Sequence, residues 1–273
     1  MARPLWSGSI SFGLVNVPVK AFTAVRDHDV HFHQVDKKSG ARIRHRNVSE
    51  SSGREVKDSD IEMGFELSKG HYVTFEKDEL RALRPASTKA IEVDEFVALE
   101  EIDPIYYERT YWLAPDGEAG AKAYQLLLAA MEDRERVAIG SVVMRNKQYL
   151  TAIRPLEGAL AMSTMRFADE VVPRSEIESL PTRRSKPDAA ALKMAGQLID
   201  GLAADWEPGK YHDTYVEQLR KRIKAKRAGK EIVDEAVTTE TPANVVDLVA
   251  ALQASLDKAK RPRKPRKRAK KSA

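Results

Sequence analysis

The 273-residue chain is 42% hydrophobic and 32% charged, with a formal net charge of +5. That is ample apolar material for one large domain or two smaller ones. It has no cysteine, which excludes disulfides, thiolate metal sites and cysteine nucleophiles, and no run long enough to cross a bilayer. The first residues turn polar at once, so no signal peptide is expected.

The average charge conceals a segregation. Residues 258–273 hold ten Lys or Arg and no acid, while residues 1–257 hold 36 basic against 41 acidic residues, a net of −5. Self-repulsion is expected to keep such a terminal block disordered, and its composition suits a polyanion. A solubility tail, a localisation signal or a membrane-surface contact would carry the same composition.

In chain order, residues 5–25 open with large side chains on even positions (Trp6, Ile10, Phe12, Leu14) and small ones between, the signature of a strand with one packed face. The phase then slips, with Val15, Val17 and Val19 on odd positions. The slip reads as one long strand bent at Gly13, with Pro18 barring a central ladder position, as at the corner of a barrel. Further strands are expected at 30–36, 41–48, 70–75, 90–99, 105–113, 137–144, 148–154 and 158–167. Many short strands with turns between them argue a barrel or sandwich. Two helices interrupt: 76–84, ending before Pro85, and 119–132, with Tyr124, Leu127, Leu128 and Met131 at helical spacing.

After about Pro173 the period becomes helical. Asp188 caps a helix to about Asp205 with Leu192, Ala195, Leu198, Ile199 and Leu202 in a stripe. A loop around Pro208-Gly209 leads to a second helix ending near Gly229, whose other faces are dense in Lys and Arg. Residues 230–243 read as a linker, and a third short helix follows to 256. The expected organisation is a core over 1–185, a helical arm over 186–229, a linker with a short helix over 230–256 and a disordered tail over 257–273.

Arg42, Arg44 and Arg46 alternate with Ile43 and His45, so in a strand they would share a face at roughly 6.6 Å intervals. Such a row can track a phosphate backbone, or be a solvated face with local acids. Arg145-Asn146-Lys147 lies between two hydrophobic strands and reads as a hairpin tip whose two cations can reach DNA, although many such tips are only soluble turns. Arg183, Arg184 and Lys186 sit in a linker. The tail cations Lys258, Lys260, Arg261, Arg263, Lys264, Arg266, Lys267, Arg268, Lys270 and Lys271 complete the candidate DNA-binding set. If all ten met phosphates, the log–log salt slope from the tail would approach about −9.

His31 and His33 share a strand face, with His28 and Asp29 nearby, but a third zinc ligand at typical spacing is missing, so a structural role is expected. The carboxylates Glu92, Asp94, Glu95, Glu100, Glu101 and Asp103 show no spacing that would converge on metals. No phosphate loop, dinucleotide fingerprint or serine elbow is present. No catalytic residue, metal or cofactor is expected.

Trp6-Ser-Gly-Ser-Ile-Ser-Phe-Gly-Leu-Val-Asn-Val-Pro-Val-Lys20 resembles the opening of the bacterial Ku proteins. Phe32-His-Gln-Val35, Arg145-Asn-Lys147, Leu192-Lys-Met-Ala-Gly-Gln197 and Tyr211-His-Asp-Thr-Tyr215 resemble further Ku segments, in the same order, over about residues 3–225. The resemblance implies a mainly β fold with α-helices: a Ku-core β-barrel with a bridge extension, then a helical C-terminal arm. It implies a ring-shaped homodimer that threads onto double-stranded DNA ends in non-homologous end joining and recruits an ATP-dependent DNA ligase. That would be a bacterial cytoplasmic, nucleoid-associated scaffold rather than an enzyme, with no membrane partner. Many bacterial Ku proteins carry Cys-x-x-Cys-Gly where this chain has Ser49-Glu-Ser-Ser52-Gly53, so a plain turn without metal is expected there. Two other functions compete. One is a non-end-specific architectural DNA binder driven by the tail, and the other is a lyase acting on abasic ends through a lysine Schiff base.

Overall fold

The computed structural model describes residues 3–86, 88–181 and 186–229. They divide into two compact units, with the boundary between Glu176 and Ile177.

In the first unit, seven strands close into a barrel: β1 (Trp6–Phe12), β2 (Val15–Thr23), β5 (Ala90–Ala98), β6 (Tyr107–Pro115), β7 (Arg136–Met144), β8 (Lys147–Leu156) and β9 (Ala159–Met165). Around the wall the order is β1-β2-β6-β9-β8-β7-β5, and a short parallel ladder between β1 and β5 closes it. Two further strands, β3 (Met63–Ser68) and β4 (His71–Phe75), pair as a separate hairpin. Expected strands and observed ones agree for most of the barrel wall: one-sided burial makes β7 alternate from Ala138 to Met144, whereas β9 is buried on both faces.

The opening stretch differs from its reading. It is not one bent strand but a hairpin, with Gly13 at φ +57° and Leu14 in the turn and Phe12 opposite Val15. Facing residues in this register have numbers summing to an odd value, so crossing a two-residue turn must switch the inward parity from even to odd. Ile10, Val17 and Val19 are accordingly buried together, whereas Leu14 is fully exposed. Pro18 is tolerated because it pairs only with Ser9 of β1. The β2–β6 ladder starts one residue later, at Val19.

The barrel interior is filled by Ile10, Val17, Val19, Ile91, Leu113, Val142, Ile153, Leu160 and Met162, none more than 2% exposed. Helix α2 (Gly117–Asp133) packs on this core through Tyr124, Leu127 and Met131. The Tyr124 hydroxyl donates to the Leu113 carbonyl and accepts from the Leu160 amide, each at 2.7 Å, and so ties β6 to β9. Gly140 permits close approach of β7 to β5: a Cβ there would stand 2.0 Å from the Glu92 carbonyl oxygen, beside the irregularity between Val93 and Glu95.

The excursion between β2 and β5 contributes no residue to either core cluster. Residues 30–36 and 41–48 do not form the expected strands and make only the isolated bridges Val35–Arg42 and Val48–Glu55. Local turns win instead. The Asp36 carboxylate accepts from the Lys38 and Ser39 amides and the Ser39 hydroxyl, and these bonds, the hydroxyl's foremost, hold its pKa below the ordinary value. Ser49 to Arg54 is a turn with Gly53 at φ +65°. Short helix α1 (Lys77–Ala82) starts with a capping box between Glu76 and Glu79.

The second unit holds α3 (Ala189–Leu202) and α4 (Thr214–Arg227). Asp188 and Asp213 cap them, accepting from the Ala191 and Val216 amides at 2.9 and 3.0 Å. The expected third helix, the linker and the basic tail lie outside the described residues, as do Arg183 and Arg184.

Candidate nucleic-acid interface

Two adjoining clefts open beside the β7–β8 turn. One, of about 170 Å³, is lined by Trp6, Glu108, Arg109, Tyr111, Arg145, Lys147 and Tyr149 among others. The other, of about 550 Å³, shares Glu108, Arg109, Tyr111 and Arg145 and adds Arg26 and Asp27.

The sequence positions these groups through two irregularities. Arg145 and Asn146 form a two-residue hairpin loop with φ of 51° and 67°, the mirror-image turn that matches strand twist, and Met144 faces Lys147 across it. Asn accepts a left-handed conformation readily, whereas Arg does so at a cost of about 1 kcal/mol, which the flanking ladder overrides. The turn leaves Arg145 and Lys147 exposed, and Lys147 Nζ stands 5.2 Å from the Tyr149 ring centroid. The second irregularity is a register shift between Tyr107 and Arg109 on β6, which makes Glu108 the extra residue opposite the continuous β9. A bulge of this kind re-aims its side chains, and here both Glu108 and Arg109 line the clefts. Thr164 fixes the bulge: its hydroxyl accepts from the Arg109 amide at 3.3 Å and donates to the Glu108 carboxylate at 3.4 Å.

Four cations (Arg26, Arg109, Arg145 and Lys147) therefore meet two carboxylates, Asp27 and Glu108, over a floor with three aromatic rings. Among the described residues none of the four makes an ion pair within 4 Å, and all four are exposed. Unpaired guanidiniums beside flat rings are chemistry for phosphate and for base or sugar edges.

Of the residues singled out in the sequence, Arg145 and Lys147 lie here. Arg42, Arg44 and Arg46 do not line either cleft; all three are exposed in the turn-rich segment, and Arg46 pairs with Glu55 at 2.8 Å. His28, His31 and His33 are exposed, with His31 Nε2 3.8 Å from Asp27. Among the described residues no group of three or more His, Asp or Glu is placed to hold a metal ion.

The Ku70/Ku80 beta-barrel domain family model matches residues 11–194. The chain belongs to the Ku family. Its fold is the Ku β-barrel with added helices. A protein of Anaeromyxobacter sp. (strain K) named non-homologous end joining protein Ku is 43% identical over 263 residues, 96% of this chain and 87% of that one. Non-homologous end joining protein Ku 1 of Saccharopolyspora erythraea is 39% identical, covering 96% of this chain and 81% of that one. The Bacillus subtilis protein of the same name is 37% identical over 94% and 83%. The barrel of this Ku chain carries basic clefts beside its β7–β8 turn. Arg109 and Arg26 escaped the sequence reading, although Arg109 has the same parity as Tyr111 and Leu113.

Proposed function

We propose that this chain binds double-stranded DNA ends as a ring-shaped homodimer in non-homologous end joining, and brings an ATP-dependent DNA ligase to the break. The observation that carries the reading is the set of four unpaired cations converging on aromatic-floored clefts of a Ku barrel. Phosphate contacts of this kind position a protein on duplex without reading sequence, as a protein acting at any broken end requires.

The β3–β4 hairpin supports the homodimer. Met63, Phe65, Leu67 and Tyr72 are each more than half exposed, and an isolated two-stranded hairpin is marginal in water. A second copy covering these side chains would supply what the barrel core does not. The exposed stripe of Leu192, Ile199 and Leu202 on α3 offers the ligase an apolar face. The chain acts as a scaffold in this reading. Every described lysine except Lys20 is exposed, and Lys20 pairs with Asp116 at 2.6 Å, so none has the desolvated setting that a Schiff-base amine needs.

The test is competition. A short labelled linear duplex is bound at moderate salt and challenged with linear or closed circular plasmid. Competition by linear DNA alone is expected. Equal competition per base pair by circles, persisting after removal of residues 258–273, would refute end binding.

A further inference from the structure

We infer that one face of α4 is a second phosphate-binding surface, which contacts the backbone of duplex DNA; the inference rests on the end-binding reading above. Helix α4 carries six cations (Arg220, Lys221, Arg222, Lys224, Lys226 and Arg227) against one carboxylate, Glu217, inside a segment whose residues 1–257 are net acidic.

At 100° per residue, Arg227, Arg220, Lys224 and Lys221 fall within one arc of about 120°, which also holds Glu217 and so carries four cations against one carboxylate. Arg220, Lys224 and Arg227 follow each other at i, i+4 and i+7, so the arc extends about 10 Å along the helix axis. A DNA strand places a phosphate every 3.4 Å or so of duplex axis, and the arc therefore spans about three. Buried Val216 and half-buried Leu219 lie to one side of the arc and leave it open.

All four arc cations are exposed, and among the described residues none makes an ion pair within 4 Å. Glu217 stands three and four residues before Arg220 and Lys221 yet bridges neither. The helix macrodipole accounts for cations in the last turn, Lys224 and Arg227, but not for Arg220 and Lys221. Like charges at i, i+3 and i, i+4 (Lys221 with Lys224, Lys224 with Arg227, Arg220 with Lys224) destabilise an isolated helix. A polyanion reverses that repulsion. The arc contains no aromatic or aliphatic anchor, which a protein partner's interface core would need, so its chemistry favours a sugar–phosphate backbone over an acidic protein surface.

The experiment compares the full chain with a variant carrying Arg220→Gln, Lys221→Gln, Lys224→Gln and Arg227→Gln, a helix-compatible neutralisation. Binding to a short linear duplex is measured from 50 to 300 mM salt. The log–log slope is expected to become shallower by about 3 to 4, and by the same amount when residues 258–273 are absent. Arg220→Lys with Arg227→Lys should retain the wild-type slope. An unchanged slope with helicity preserved by circular dichroism overturns the inference. So does binding that stays equally tight on DNA but fails only with an acidic protein. If helicity falls, amide hydrogen exchange of wild-type α4 decides: protection on adding duplex supports the contact, and its absence refutes it. Loss of discrimination between linear and circular DNA in the wild type would sink the end-binding reading and leave the slope result standing.

Discussion

Replacing Tyr124 by Phe should cost about 2–5 kcal/mol while leaving the barrel core filled. The ring stays among its neighbours, so no cavity forms, and the whole effect falls on two hydrogen bonds of 2.7 Å. Their partners, on Leu113 and Leu160, belong to residues only 1% and 0% exposed. Each backbone group left unmade in that setting costs about 1–3 kcal/mol. For a unit of this size each kcal/mol lowers the melting temperature by about 2–4 °C, so a fall of roughly 4–20 °C is expected. Urea unfolding should show a lower midpoint with an unchanged slope, and the Leu160 amide should lose hydrogen-exchange protection ahead of its strand. A loss under about 0.5 kcal/mol would refute the reasoning, because it would mean that neither group is buried in earnest.

Burial raises the Tyr124 and Tyr107 pKa values, opposed respectively by the Leu160 amide bond and by the charge of Arg154. The unfolded chain then releases its phenolic protons first. Stability should hold below about pH 10 and fall as pH rises beyond it, with a gentler fall in Tyr124→Phe, as measured by unfolding at graded alkaline pH. Arg109→Gln with Arg145→Gln and Lys147→Gln should flatten the salt slope of duplex binding by about 2.7 without changing the melting temperature by more than a few degrees. Phe65→Asp with Met63→Asp should leave the barrel folded but yield monomers by sedimentation, if β3 faces a second copy. Gly140→Ala should destabilise by several kcal/mol, because the new Cβ meets backbone at 2.0 Å rather than a movable side chain.

The barrel was legible where one face of a strand is buried, since burial forces alternation, as in Ala138 to Met144. The helices were legible from apolar stripes and, for α3, from its Asp188 cap, whereas the Asp213 cap of α4 was not read from the sequence. The first hairpin was misread because a parity switch looks alike whether the chain bends or reverses, and only ladder partners distinguish the two. Residues 30–48 were misread because alternation without burial has no force, and the Asp36 and Ser49 turns supply local bonds instead. Met63, Phe65 and Leu67 alternate plainly, yet β3 was missed. The site was half legible. Arg145 and Lys147 announce themselves at a turn between hydrophobic strands, whereas Arg109 shares the parity of Tyr111 and Leu113 and only the bulge at Glu108 shows that it lies at the cleft.

The closing ladder of the barrel has a kinetic consequence. Residues 90–165 contain β5, β6, β7, β8 and β9, five neighbouring staves whose ladders span at most 58 residues of chain. The β1–β2 hairpin must then bridge both free edges, through five pairs to β6 and only three to β5, with Ser9 to Ser11 meeting Ala90 to Glu92. Both contacts close loops of about 80 to 96 residues, whose entropy must be lost before the pairing returns anything. β1 and β2, synthesised before the other staves, are therefore expected to pair last, and until they do both sheet edges stand open to pairing with another chain.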